Sequence, residues 1–209
     1  MTVRKGEAWG EAGGLPEDGV VVGSDAEARR VVTAARRAGE AVPVLGLAGG
    51  DLCRTLGGRD DPARLRSAGA TRVPVDLGSV LVDGVQHWFV AHLVARGSWW
   101  RGRIVAAMNA EFLGAWDVAP RAHPGDGQLD VLDVSAAMSF VERLEARRRL
   151  PAGGHVPHPA IAVQRRPAVQ VDLDGPTPVW LDGEQVGRAR RLSVRVEPDA
   201  LTCVVGGPR

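Results

Sequence analysis

The sequence predicts an α/β-plus-β protein: a small N-terminal parallel α/β layer followed by a larger antiparallel, β-sandwich-like domain. Three observations predict it. Between residues 19 and 56, apolar strand patterns alternate with helical ones, the signature of parallel strands joined by helices. From residue 73 onward, short apolar runs are separated by turn signals, among them Asp-Gly pairs at 83–84 and 182–183. A single helical pattern, 136–150, interrupts that second region.

Residues 1–18, rich in Gly and Glu and without periodicity, read as a flexible tail. A buried strand at 20–22 runs into a helix whose apolar residues Ala28, Val31, Val32 and Ala35 fall on one face. Ser24 and Glu27 form its capping box, with Glu27 reaching back to the Ser24 N–H, and Gly39 ends it. A second strand, 42–47, precedes Gly49-Gly50-Asp51, which opens a short helix through Leu56. Asp61-Pro62 starts another short helix. Strands at 73–77 and 80–82 lead into the first Asp-Gly hairpin and return over 87–94. Strands at 104–108, 116–119 and 129–134 follow. The helix at 136–150 carries Met138, Val141 and Leu144 on one face and Arg147 to Arg149 at its end, where cations suit the helix dipole. Strands at 161–165, 168–173, 178–181, 185–188, 192–196 and 201–205 complete the chain. The organisation is a tail (1–18), a reduced α/β part (19–70) and a β part (71–209).

With 209 residues, 44% hydrophobic and 24% charged, the chain is one domain or one plus a small one. A net charge of +1 gives no electrostatic ground for a nucleic-acid partner. Cys53 and Cys203 have neither metal nor framework spacing and read as buried apolar residues in a reducing compartment. The N-terminus has no apolar run of signal-peptide type, and no segment is long enough to span a bilayer. A cytoplasmic protein is the expectation.

Candidate chemistry concentrates on loops. His123-Pro124-Gly125-Asp126-Gly127 presents a carboxylate between two strands, the placement a general base requires, with Arg121 and His123 flanking it. An Asp-Gly pair is equally an ordinary turn. Gly23-Ser24-Asp25, at a strand end before a helix, suits a phosphate. The capping residues compete for the same N–H groups. Gly49, Gly50 and Asp51 read as a second phosphate-side turn or as a plain helix cap. Asp182 and Glu184 sit on the second hairpin. His155 and His158, with His123, raise a metal-dependent hydrolase as a third reading. Two histidines in a Pro-containing loop cannot share a helical face, however, and zinc needs three or four ligands. Trp99-Trp100 with Arg101 and Arg103 suit either a membrane surface or the edge of a β core.

The run Val118-Ala119-Pro120 through Asp126-Gly127 to Leu129-Asp130-Val131 resembles the diacylglycerol kinase and sphingosine kinase-type lipid kinases. Residues 47–57 resemble that family's second nucleotide segment at Asp51, Arg54, Leu56 and Gly57, with Leu47, Ala48 and Gly50 in place of Gly, Thr and Asn. Val75-Asp76-Leu77-Gly78 and Asp182-Gly183-Glu184 match a strand and a hairpin of the family. Gly23-Ser24-Asp25-Ala26-Glu27 keeps only the Gly and Asp of G-G-D-G-T. The resemblance implies the lipid kinase fold, trimmed in two places. It implies ATP- and Mg2+-dependent phosphoryl transfer to a hydroxyl of a small lipid such as diacylglycerol. Asp126 would be the base, Gly23, Asp25, Gly49, Gly50, Asp51 and Glu184 would line the nucleotide cleft, and Asp182 and Glu184 would lie near the metal. The alternative is a catalytically inactive member that binds a lipid or protein partner through its β part. A half-size α/β layer leaves strand edges uncovered, so a homo-oligomer that completes it is a further expectation.

Overall fold

The structure, a computed structural model, describes residues 9–59 and 61–206. β1 (Glu11–Ala12) and β2 (Val20–Val22) come first. α1 (Asp25–Ala38) follows, with Ser24 accepting the Glu27 N–H as N-cap, Gly39 as C-cap, and Ala28, Val32 and Ala35 buried. β3 (Leu45–Leu47) leads to α2 (Asp51–Thr55), and a 3-10 turn at Pro62–Arg66 is capped by Asp61. Next are β4 (Ala70–Val82), β5 (Val85–Phe89), β6 (His92–Arg96) and β7 (Ile104–Met108). A two-stranded hairpin, β8 (Phe112–Leu113) with β9 (Trp116–Asp117), precedes β10 (Leu129–Val134). α3 (Phe140–Arg149), β11 (Ile161–Arg166), β12 (Ala168–Leu181) and β13 (Glu184–Gly206) end the chain.

Eleven strands form one sheet in the order β1-β4-β13-β12-β6-β7-β10-β11, with β5 added to β4 and β2–β3 added to β13. Every pair along that path is antiparallel. The sheet bends over itself, so that Val80, Phe89, Leu93, Leu129, Leu181 and Leu192 meet in one sandwich core. A second core lies beneath α1, built from Val22, Val32, Leu45, Leu47, Leu77 and Cys203. A third lies beneath α3, built from Val94, Ile104, Met108, Leu132, Met138 and Ile161. Each buried side chain of this kind contributes about 1.5–3 kcal/mol, so all three cores bind their layers firmly.

β13 is the strut of the molecule. One flank pairs with β4 along 192–206, while the other takes β12 first and then β3, Leu45–Leu47 lying parallel to Cys203–Val205. β2 and β3 are parallel to each other and extend this same sheet. The sequence divides β13 into three short strands, 185–188, 192–196 and 201–205, with 189–191 and 197–200 as the apparent breaks. The chain absorbs them as irregularities in register, with Asp199 at positive φ, and runs on. β4 likewise continues through Gly78, where a Cβ would lie 2.2 Å from the Phe89 ring.

Two further differences matter for the site. The helix expected from 136 starts at Phe140, because the Ser139–Glu142 capping box fixes the start there. Met138 is buried ahead of the cap, Val141 points outward, and Arg143 is the buried residue of α3. The expected tail is also partly structured. Its residues 1–8 lie outside the described residues, but Glu11 and Ala12 pair with Arg72 and Thr71, and Leu15 is buried. Cys53 and Cys203 are buried, and burial pushes the Cys203 thiol up to about 12. No described helix is long and apolar enough to cross a membrane.

Candidate functional site

Two carboxylate clusters emerge. The first gathers at the starts of α1 and α2. Asp25, the first residue of α1, accepts the Asp51 N–H (2.6 Å) and the Leu52 N–H (3.1 Å), so it caps α2 from outside. Only glycine fits at position 50: its φ is +96°, and a Cβ would lie 2.5 Å from an Asp25 oxygen. Asp51 meets the His92 ring at 3.1 Å and accepts the Gly114 N–H at 2.9 Å. Asp182 accepts the N–H groups of Val90 (3.0 Å), Ala91 (2.9 Å) and His92 (3.1 Å). Glu184 binds Arg29 and, at 2.7 Å, Arg30. The structure thus places Asp25, Asp51, Asp182 and Glu184 around one region.

Charge in this region is finely set. Burial, with Asp182 and Asp51 nearby, pushes Asp25 up to about 6. Burial also raises Asp182 against three backbone hydrogen bonds. At Asp51 burial opposes ionisation, but the His92 and Gly114 hydrogen bonds carry the carboxyl below its ordinary range. Burial disfavours charge on His92 as well, yet its bond to Asp51 holds the imidazole above its usual value. Ligand atoms of Asp25, Asp51 and His92 lie within 4.8 Å of one another.

At the α1 N-terminus the Glu27 carboxylate does not return to the Ser24 N–H. It reaches one residue further and accepts the Gly23 N–H at 2.8 Å, while Ser24 Oγ takes the Glu27 N–H at 3.2 Å. The longer reach suits the extended backbone at Ser24. The N–H groups that a phosphate would use are therefore engaged by this chain's own side chains.

The second cluster surrounds the 123–127 loop. Asp76 on β4 pins that loop at both ends: its N–H donates to the Pro124 carbonyl (2.7 Å), and its carboxylate accepts the Gly127 N–H (2.6 Å). The other Asp76 oxygen takes the Asp199 N–H (2.9 Å). Asp126 is buried, accepts the Gln128 N–H (3.0 Å) and pairs with Arg165 of β11. Arg165 also lies 3.7 Å from Asp130. Burial raises the Asp126 carboxyl, with Arg165 opposing, and pushes Asp76 and Asp130 each up to about 6. His123 stacks on Trp9, with ring centroids 4.5 Å apart. The flanking residue that grips Asp126 is thus Arg165, from another strand.

One side chain joins the clusters. Asn109, just after β7, donates to the carbonyls of Asp76 and Val90, each at 2.8 Å. Val90 in turn donates to Asp182.

A cleft of about 780 Å³ lies beside the second cluster, lined by Arg121, Asp130 and His158 among others. Asp126 is not among the lining residues; it is linked to the cleft through Arg165, which also lies near the lining residue Asp130. The cleft shares Val118 and Ile161 with an apolar pocket of about 100 Å³ that is lined by Trp99, Trp116, Leu132 and Met138. His155 is buried at that pocket, and His158 Nδ1 accepts the Ala160 N–H (3.1 Å). Among the described residues neither joins His123 in a three-ligand group, so the histidine metal site is not formed.

Residues 73–205 match the family described as the YegS C-terminal NAD kinase beta sandwich-like domain. The chain belongs to this family. Two crystal structures of Bacillus anthracis str. Sterne proteins share its fold. One, a diacylglycerol kinase, has a TM-score of 0.67 at 16% identity, over 91% of this chain and 78% of that one. Another, a provisionally assigned diacylglycerol kinase, has a TM-score of 0.70 at 16% identity, over 91% and 79%. Comparison with curated proteins returns no match. Its mostly antiparallel sandwich is the fold of those two structures.

Sequence reasoning missed His92, Arg165 and the bridging part of Asn109. His92 and Arg165 sit on ordinary-looking strands, and only tertiary pairing brings them to the acids. Asp76 carries a signal, the V-D-L-G match, but that match marks the fold and does not point to the loop.

Proposed function

We propose that this chain recognises a small lipid alcohol such as diacylglycerol and presents its hydroxyl for phosphoryl transfer, with residues 71–209 as the lipid side and 19–70 as the nucleotide side. The observation that carries this reading is the Asp126–Arg165–Asp130 group beside a largely apolar cleft into which Arg121, Asp130 and His158 bring polar groups, and which adjoins an apolar pocket. A lipid alcohol needs both: a few polar groups for its head and apolar surface for the adjoining part of its chains. Arg121 would meet the head. Asp126 would accept the hydroxyl proton, a role helped by burial that brings its carboxyl closer to neutral pH, while Arg165 favours its ionised form. The Arg165 side chain is 40% exposed and can swing from Asp126 when a head group enters.

ATP with Mg2+ would supply the phosphoryl group. As arranged, Gly23, Asp25, Asp182 and Glu184 are already engaged within the chain and do not fit that pair. The Gly23 N–H is held by Glu27, both Asp25 oxygens and the Asp182 carboxylate by backbone N–H groups, and Glu184 by two arginines. This observation favours a second reading, a non-catalytic member that keeps lipid recognition.

The test is labelled phosphate transfer from ATP to diacylglycerol in mixed micelles with Mg2+, run beside fluorescent-diacylglycerol binding. Transfer lost in Asp126→Asn with lipid binding kept supports the first reading. Binding without transfer at millimolar ATP assigns the second. Absence of both overturns the pair.

A further inference from the structure

The face made by residues 98–102 and the first turns of α3 presents apolar side chains to solvent. Phe140 is 58% exposed, Val141 63% and Trp100 36%. Helices normally turn such residues inward, but here Arg143 occupies the buried position, donating to the carbonyls of Met138 (3.0 Å), Gly102 (2.6 Å) and Ser135 (2.9 Å). Phe and Val are poor helix formers, and these two gain little burial, so neither helix nor core explains them.

The rings on this face are ordered. Trp100 and Phe140 have centroids 5.4 Å apart, and Trp99 meets Trp116 edge-on at 5.4 Å. The Arg147 guanidinium lies 4.9 Å from the Trp100 ring and 5.4 Å from the Trp116 ring. Arg96 stands 4.1 Å from Trp99 and 5.1 Å from Trp180. Indoles and guanidiniums therefore alternate around the rim of the apolar pocket. Arg101, Arg148 and Arg149 are exposed alongside. Of the acids nearby, Asp133 is paired with Arg103 and Glu142 caps its own helix, leaving Glu145.

We propose that this face docks on an anionic lipid bilayer. Trp100, Phe140 and Val141 enter the boundary between head groups and acyl chains, while Arg101, Arg147 and Arg148 meet lipid phosphates. Charge complementarity selects this occupant: cations ringing an apolar tip match a negatively charged surface with an apolar interior. Indoles with polar N–H groups suit that boundary. A second copy of the chain would set arginine against arginine around an apolar patch of three side chains, far less than a stable dimer buries. The proposal does not depend on catalysis.

The experiment is co-sedimentation with vesicles of phosphatidylcholine, alone or with about 30% phosphatidylglycerol, with light scattering of the free protein. The anionic vesicles should bind at least tenfold more tightly than the neutral ones. Phe140→Ser with Val141→Ser should weaken binding tenfold or more, and Arg101→Gln with Arg148→Gln should remove the preference for anionic lipid. Should the first pair disturb folding, as read by circular dichroism, Val141→Ser alone gives a severalfold loss. No sedimentation at millimolar lipid, or binding unchanged in both pairs, overturns the proposal. So does a dimer that Phe140→Ser with Val141→Ser dissolves.

Discussion

The two carboxylate clusters share a residue type, but backbone N–H groups dominate around Asp25 and Asp182, whereas a guanidinium is shared between Asp126 and Asp130. Around α1 and α2, Asp25 and Asp182 are tied by backbone N–H groups, and Asp51 by Gly114 and the buried His92. Beside the cleft, Asp126 and Asp130 face a half-exposed side chain, Arg165, on the edge strand of the sheet. An acid bonded by backbone is a strut, since freeing it means undoing local structure. An acid bonded by a swinging guanidinium can be released at the cost of one rotamer change. Under the proposed function, the contrast would put reactivity at the second cluster and rigidity at the first.

The sharpest way to break this contrast is Asp182→Ala. It leaves three buried N–H groups unpaired, and urea unfolding should show a loss of about 3–5 kcal/mol. A loss below about 1 kcal/mol would remove the strut from the account. Asp126→Asn should leave the midpoint of unfolding nearly unchanged while cutting any phosphate transfer by about 10²–10⁴-fold, read in the micelle assay. A pH series tests both clusters together. Asp25, Asp76 and Asp130 hold their protons up to about 6 when folded, against 3.8 for an ordinary aspartate. Their stabilising effect is full below about pH 4 and is lost as pH rises through 6. His92, raised in the fold, works in the same direction, whereas Asp51 weakens the fold only at acid pH. Unfolding free energy should therefore be about 1–3 kcal/mol lower at pH 7.5 than at pH 5. A rise over that range would mean that Arg165 and the backbone donors keep these acids ionised. The smallest effect is expected for Glu27→Thr, which releases the Gly23 N–H. It should cost under about 1 kcal/mol in a thermal melt and tighten fluorescent-nucleotide binding about tenfold. No gain would locate the closure of the nucleotide side elsewhere.

Local signals were legible wherever one residue decides the local chemistry. The Ser24 cap and Gly39 stop of α1, the Asp61 cap and both Asp-Gly hairpins stand where the sequence puts them. So does the loop that carries Asp126. Positive-φ positions and side-chain caps act within a few residues, so the sequence displays them directly. Long-range facts were hidden. Nothing around Arg165 says that it will reach Asp126, 39 residues earlier. Nothing in His92 announces Asp51. Strand ends were misread where irregularities in register let β12 and β13 run through apparent breaks, and where β4 runs on in regular register through Gly78, because the cost of a break is offset by neighbours that only the sheet provides. α3 misled for another reason: its outward Val141 falls at helical spacing between Met138 and Leu144 and imitates a core-facing stripe.

The double pairing of β13 also dictates when the molecule can assemble. Residues 203–205 form the rail on which Leu45 to Leu47 rest, while 192–206 zip onto β4. During synthesis, α1 and its two short strands emerge long before their support exists, and must wait with an uncovered apolar underside. Contacts of such large sequence separation predict slow, late-nucleating folding and an early fragment that invites chaperones.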